Sequence, residues 1–260
     1  MIPLKDENPT TSPAIVNWVL IGICIAVYFV VQPGGQLTVF RHNQNSEVRQ
    51  EADTRFTFER AAIPCEIVRD RPLTEDDLAT QSCQSHPVSP PFFPNKNVYL
   101  AILWSMFLHG SVLHLLGNML FLWVFGNNIE ERFGRPFYFL FYLLSGFVAT
   151  MAHVFAQTNS TIPVVGASGA IAGVMGAYFV LYPNAPINSL ILFPPFVLFR
   201  KIQAKWLLGI WLVTQFFLSP GSGVAWVAHV GGFAFGAIIG LVWRSATRPG
   251  QPESPIRYGH

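Results

Sequence analysis

The sequence predicts an all-α polytopic membrane protein with six transmembrane helices and both termini in the cytoplasm. Of its 260 residues, 51% are hydrophobic and only 12% are charged, whereas a soluble domain carries about a quarter charged residues. The charge is also uneven, because long windows hold almost none and one window holds most of it. This composition indicates a chain whose main partner is the lipid bilayer. No basic run indicates a nucleic-acid partner.

Six apolar segments are long enough for helical spans, which need about 20 residues each. They comprise residues 13–32, 111–129, 137–156, 166–182, 203–219 and 224–243. Acidic and basic residues precede the first segment and no A-x-A site follows it, so we expect a retained helix rather than a signal peptide. A further apolar stretch, 187–199, is short and contains Pro194-Pro195. It is therefore predicted as a re-entrant or interfacial hairpin rather than a seventh span.

The distribution of Lys and Arg predicts the orientation of these spans. Connections 157–165 and 220–223 carry neither residue, whereas the other short connections are basic. With six spans, all the short basic connections lie on one side, which the positive-inside rule assigns to the cytoplasm together with both termini. The long segment 33–98 then lies outside, and a loop of about 60 residues or more translocates largely regardless of its charge.

Four parts follow from this topology. Residues 1–32 comprise a cytoplasmic N-terminus and the first helix, and residues 33–98 form an external insertion. Residues 99–243 form a core that holds spans two to six, and residues 244–260 form a cytoplasmic tail. The insertion is polar, so it is either a small external domain or a partly disordered loop. Cys65 and Cys83 both lie in it. They are either free thiols or joined by a disulfide that would stabilise the insertion by about 3 kcal/mol. The default location of the protein is the bacterial inner membrane, with the insertion on the oxidising side.

Four polar side chains lie at one depth in this topology. His114 lies just below the outer surface in the second span, with Asn118 one helical turn deeper on the same face. Ser168 lies near the outer end of the fourth span, and His229 lies about 8 Å into the sixth. Because the topology was assigned without these residues, their common depth predicts a single outward-facing site, open to water.

These residue types suit acyl transfer. A serine hydroxyl becomes a strong nucleophile when a base removes its proton, and His229 is the candidate base for Ser168. No acid lies at this depth to orient the imidazole, so the sequence predicts a Ser–His dyad rather than a triad. His114, Asn118 and the backbone N–H of Ser168 are candidate donors to the developing oxyanion.

Each of these features also has a structural interpretation. The G-A-S-G sequence could be close helix packing, and His229 could be a proton relay or an interhelical donor. Gly232 and Gly236 recur at four-residue spacing after His229, and small residues at this spacing let helices approach closely. Contact between the fourth and sixth spans would bring Ser168 to His229. The joint occurrence at one depth favours the catalytic interpretation.

Four motifs occur in order along the second to sixth spans. They are H-G-S-V-L-H-L-L-G-N, E-E-R-F-G, G-A-S-G and A-H-V-G-G-F-A-F-G, at His109–Asn118, Glu130–Gly134, Gly166–Gly169 and Ala228–Gly236. On these motifs the chain resembles the rhomboid intramembrane serine proteases. The resemblance implies a six-helix core and cleavage of single-pass membrane proteins near the outer membrane boundary, without a cofactor.

The resemblance also implies a role for individual residues. Ser168 would be the nucleophile and His229 the base, while His114 and Asn118 would assist the oxyanion hole. Gly166 would belong to the loop that enters the catalytic helix. The E-x-R motif, with Glu130, Arg132 and Gly134, would be structural.

Two positions depart from the family pattern. Trp104 is followed by Ser105 where the family often has a Trp-Arg pair, and Ala172 stands where some members place an aromatic residue against the histidine. Neither change removes a reacting group. The main alternative is a rhomboid-fold protein without protease activity that binds client proteins. A small transporter or proton relay is a second alternative.

Overall fold

A computed structural model of the protein describes residues 1–35, 46–193, 196–217 and 224–247. Its helices are α1 (Ile15–Ala26), α2 (Ser46–Arg60), α3 (Pro64–Arg69), α4 (Glu75–Thr80), α5 (Leu100–Ser105), α6 (Val112–Phe133), α7 (Arg135–Ala156), α8 (Ser168–Leu181), α9 (Ala204–Gln215) and α10 (Trp226–Ala246). A π-helical turn, Val27–Val31, continues α1. The strands are β1 (Ile2–Asp6), β2 (Pro186–Phe193) and β3 (Phe196–Gln203).

Each of the six predicted spans overlaps one of these helices. Among the described residues, α6, α7 and α10 are long and apolar enough to cross a membrane, while α1 with its π-helical turn and α8 are shorter apolar helices. The protein is thus a helical membrane protein, and the count of six spans stays a prediction. Helix α8 is short, but ten of its 14 residues are buried, so protein rather than lipid surrounds most of it.

Helix α8 packs mainly against α10, the contact that the glycine spacing predicted. A Cβ atom on Gly232 would overlap the carbonyl oxygen of Gly169, and one on Gly236 would overlap the carbonyl oxygen of Gly173. In the other direction, a Cβ atom on Gly176 would overlap the carbonyl oxygen of Phe233. Glycine on both helices therefore lets the two backbones touch, which fixes the relative position of α8 and α10.

The all-α prediction is wrong at the N-terminus and at residues 187–199. These segments form one antiparallel sheet in the order β1-β2-β3, in which Ile2 pairs with Leu190 and Asp6 with Ile187. Most of the apolar stretch therefore lies in the paired antiparallel strands β2 and β3, and Pro194-Pro195 lies outside the described residues. Local sequence pattern did not reveal the sheet, because β1 at the N-terminus pairs with a strand that lies far along the chain, between α8 and α9.

A buried carboxylate joins this sheet to the helical core. The Asp6 side chain accepts hydrogen bonds from Asn128 Nδ2 at 2.5 Å and from the Tyr178 hydroxyl at 2.6 Å. Tyr178 lies in the last turn of α8. Burial raises the pKa of Asp6 to about 6. The N-terminal strand thus contacts the far end of the helix that begins at Ser168.

The E-E-R-F-G motif lies at the C-terminal end of α6. The Glu130 carboxylate is buried and accepts hydrogen bonds from the backbone N–H groups of Val16 at 3.1 Å and Asn17 at 2.7 Å. These N–H groups lie in the first turn of α1, where no intrahelical acceptor exists and negative charge is favoured. Arg132 donates to a hydroxyl just beyond α10, and Gly134 turns the chain into α7 with φ +78°.

Within the insertion, residues 46–98 form a small folded unit. Cys65 and Cys83 are joined by a disulfide and pack with Ile63 and Leu73 in a separate apolar cluster. Beside this cluster, Lys96 Nζ lies 2.5 Å from Glu66 Oε2, with both side chains almost fully buried. Burial raises the pKa of Glu66 and lowers that of Lys96.

Replacing Lys96 with methionine is expected to destabilise this unit by about 3–5 kcal/mol, because the Glu66 carboxylate would lose its partner while staying buried. The measurement is the thermal unfolding of the purified protein in detergent. The double variant Lys96→Met with Glu66→Gln serves as the control, since it removes both charges. The explanation fails if the double variant is as unstable as the single one.

Candidate active site

The first residue of α8 and the first turn of α10 bring a serine and a histidine together. His229 Nε2 lies 2.8 Å from Ser168 Oγ, within the hydrogen-bond reach that a general base needs. The glycine contacts between α8 and α10 set this distance, because they fix the two backbones that carry the side chains. Ser168 also stands at a helix N-terminus, where backbone N–H groups point away from the helix.

A residue that sequence reasoning missed contacts the other ring nitrogen. Gln215, the last residue of α9, places its Oε1 2.8 Å from His229 Nδ1. The sequence argument for an orienting group rested on acids, and a neutral amide carries no charge that would have indicated it. The available signal was a glutamine near the outer end of the predicted fifth span, at the depth of His229.

The structure groups His114, Asn118 and Gly166 beside this pair. Gly166 has φ +124°, and a Cβ atom there would lie 2.8 Å from His114 Cε1 and 3.5 Å from Asn118 Nδ2. The Ser111 hydroxyl caps α6 by accepting from the His114 backbone N–H at 3.1 Å. Asn118 Nδ2 is buried and has no hydrogen-bond acceptor among the described residues. A donor held in this way is available to a ligand in the site.

These groups share one cavity of about 990 Å³. Ser168, His229, His114 and Asn118 all line it, together with mainly apolar side chains of α6, α7 and the 160–166 loop. A cavity of this size can take a segment of peptide as well as water. The arrangement places a hydroxyl, an imidazole and hydrogen-bond donors in one cavity.

A family model, the rhomboid domain, matches residues 96–246 of the chain. The chain belongs to the rhomboid family. This match covers all the helices that contribute to the cavity.

Some curated relatives are named as rhomboid proteases, and others are named as mitochondrial rhomboid proteins. The chain is 32% identical over 154 residues to the rhomboid protease AarA of Providencia stuartii, covering 54% of each protein. It is 29% identical over 133 residues to the rhomboid protease GlpG of Serratia proteamaculans, covering 51% of this chain and 44% of that protein. It is 31% identical over 163 residues to the mitochondrial presenilin-associated rhomboid-like protein A of Danio rerio, covering 58% and 40%. The chain thus spans about half, or less, of the length of these rhomboid relatives.

The Trp104-Ser105 departure from the rhomboid pattern has a structural role here. The Ser105 hydroxyl accepts from the Ala62 backbone N–H at 2.6 Å, and the Ser105 carbonyl accepts from the Gly166 N–H at 2.9 Å. Ala62 in turn accepts from the Val164 N–H at 2.8 Å. The insertion is therefore bonded to the loop that leads into Ser168, an attachment that the sequence did not predict.

The Ala172 departure is offset by a neighbouring helix. Ala172 is fully buried against the core, so α8 supplies no aromatic ring to the histidine. Trp211 of α9 does so instead, with its ring centre 5.8 Å from that of His229. The imidazole of this rhomboid is therefore packed from α9.

The remaining predicted residues lie away from the cavity. Glu130, Arg132 and Gly134 are at the opposite end of α6, where they contact α1, α7 and the end of α10. Gly232 and Gly236 form the contact with α8, and the Cys65–Cys83 disulfide lies within the insertion. Their placement is that of structural groups.

Proposed function

We propose that this protein is an intramembrane serine endopeptidase that hydrolyses peptide bonds of single-pass transmembrane proteins near the outer membrane boundary. The observation that carries the proposal is the 2.8 Å contact between Ser168 Oγ and His229 Nε2. Membership of the rhomboid family, which has relatives named as proteases, supports the same reaction. No cofactor or metal takes part.

The reaction follows from the positions of the groups. Ser168 Oγ attacks the substrate carbonyl carbon while His229 Nε2 takes the hydroxyl proton. The negative charge on the carbonyl oxygen is stabilised by hydrogen bonds from Asn118, His114 and the Ser168 backbone N–H. His229 then gives its proton to the leaving amine, which breaks the peptide bond and leaves an acyl-enzyme. A water molecule from the cavity hydrolyses this ester, and His229 again acts as the base.

The proposed topology places this chemistry on the outer side of the membrane. Helix α1 forms the first span and the core at 99–243 holds the other five. The insertion 33–98 lies outside, and the N-terminus and the tail 244–260 lie in the cytoplasm. The relatives include bacterial and mitochondrial proteins, so they support a membrane location but do not support the bacterial inner membrane in particular.

Cleavage of a single-pass helical substrate by the purified protein in detergent tests the proposal. Ser168→Ala is expected to lower the rate by more than about 10⁴-fold, because no other group replaces the nucleophile. Ser245→Ala, which changes an exposed serine of α10, is the matched control and should cleave at the wild-type rate. Mass spectrometry of the products should find the cut near the outer end of the substrate helix.

Two outcomes would contradict the proposal. Cleavage that persists in Ser168→Ala would exclude Ser168 as the nucleophile. A wild-type protein that binds the helical substrate but never cuts it would favour the client-binding alternative.

A further inference from the structure

We infer that Gln215 is a positioning residue that holds His229 in the tautomer with an unprotonated Nε2 facing Ser168. This inference rests on the proposed function, since it concerns the same base. Helix α9 thereby takes part in the reaction as a third helix, and its neutral amide stands in the place that an acid has in a catalytic triad.

The orientation of the Gln215 amide is determined by its second contact. Gln215 Nε2 lies 3.0 Å from the backbone carbonyl oxygen of Trp211, one turn earlier in α9. A carbonyl oxygen only accepts hydrogen bonds, so the NH₂ group must face Trp211. The reversed amide would set two acceptors against each other. Oε1 is therefore the atom that faces His229, and the usual ambiguity between amide oxygen and nitrogen does not arise.

The tautomer of His229 follows from that orientation. An amide oxygen accepts but cannot donate, so the Nδ1 atom 2.8 Å from Gln215 Oε1 must carry a hydrogen. A neutral imidazole has only one N–H, which leaves a lone pair on Nε2. This lone pair points at the Ser168 hydroxyl, 2.8 Å away. The base is thus in the form that can accept the serine proton.

A neutral partner suits a buried site. Gln215 is 5% exposed, and a carboxylate at that position would lose much of its hydration unless it were paired. The amide avoids this cost, yet its oxygen keeps accepting from Nδ1–H when His229 becomes charged during the reaction. Gln215 therefore orients the imidazole in both protonation states without adding a charge to the resting site.

Two variants of Gln215 separate positioning from packing. Gln215→Leu removes the acceptor at nearly constant volume. Gln215→Glu keeps an acceptor oxygen, and in its protonated form also keeps a donor for the Trp211 carbonyl. In the detergent cleavage assay, Gln215→Leu is expected to lower kcat by about 10²-fold or more with KM changed less than about threefold, since wrong-tautomer variants lose rate rather than binding. Gln215→Glu is expected to stay within about tenfold of wild type.

The tautomer of His229 can also be measured directly in the wild-type protein, so this test does not require a Gln215 variant that folds. ¹⁵N NMR of histidine-labelled wild-type protein near neutral pH distinguishes Nδ1–H from Nε2–H, and a His229→Gln sample assigns the resonance. The Nδ1–H form is expected. The Nε2–H form would overturn the inference.

The kinetic outcomes are equally decisive. A Gln215→Leu variant with a wild-type kcat overturns the inference but leaves the proposed function intact. Equal losses in Gln215→Leu and Gln215→Glu, with lowered unfolding temperatures in both, also overturn it, because that result indicates packing. A wild-type protein that neither cleaves substrate nor reacts with a fluorophosphonate at Ser168 removes the proposed function and this inference with it.

Discussion

His229→Ala is expected to lower kcat for cleavage of a helical substrate by at least about 10³-fold, because Ser168 would lose the base that takes its proton. The same variant should react with a fluorophosphonate much more slowly than wild type. This second readout reports on the Ser168 nucleophile alone and does not require the substrate to enter the membrane site. Both rates are measured on detergent-purified protein.

The control for this variant is His86→Ala, which removes an exposed imidazole in the insertion. It should keep wild-type kcat and labelling. Retained fluorophosphonate labelling in His229→Ala would show that some other group activates Ser168, and the base assignment would then be wrong. An unchanged unfolding temperature in His229→Ala is also expected, which separates loss of chemistry from loss of structure.

Gly236→Ala is expected to destabilise the protein by about 1–3 kcal/mol or more, because the added methyl group overlaps a backbone atom. That atom is the carbonyl oxygen of Gly173 in α8, and it cannot rotate away as a side chain can. The helices must separate, and the separation should also lengthen the contact between Ser168 and His229. We therefore expect a lower unfolding temperature together with a reduced cleavage rate.

Gly22→Ala is the matched control, since it makes the same chemical change in α1 at a position with no neighbouring atom within 4 Å. Alanine there should be neutral or stabilising by up to about 1 kcal/mol, because it favours the helix over glycine. Equal destabilisation by the two variants would mean that the α8–α10 contact does not require glycine at position 236.

The sequence predicted the elements of the site that depend on local pattern. Ser168, His229, His114 and Asn118 could be assigned a common depth, because helix geometry and the charge of the connections determine depth within a span. The contact of α8 with α10 was also predictable, since glycine at four-residue spacing marks a close helix approach.

Other features depend on contacts between distant segments, which local pattern does not encode. The pairing of β1 with β2 joins the N-terminus to the segment between α8 and α9. The bond between Ala62 and Val164 joins the insertion to the loop before Ser168. Gln215 was missed for a chemical reason: a neutral amide carries no charge signal, although its oxygen can hold an imidazole as a carboxylate does.

The two attachments of α8 have a consequence for motion. At its first residue, the loop through Gly166 is bonded to Ser105 and so to the insertion; in its last turn, Tyr178 is bonded to Asp6 of β1. A helix buried along most of its length and anchored at both ends is a poor candidate for displacement. We expect substrate entry to require movement of the surrounding helices and loops while the nucleophile stays stationary, so that the chain opens around Ser168 rather than by moving it.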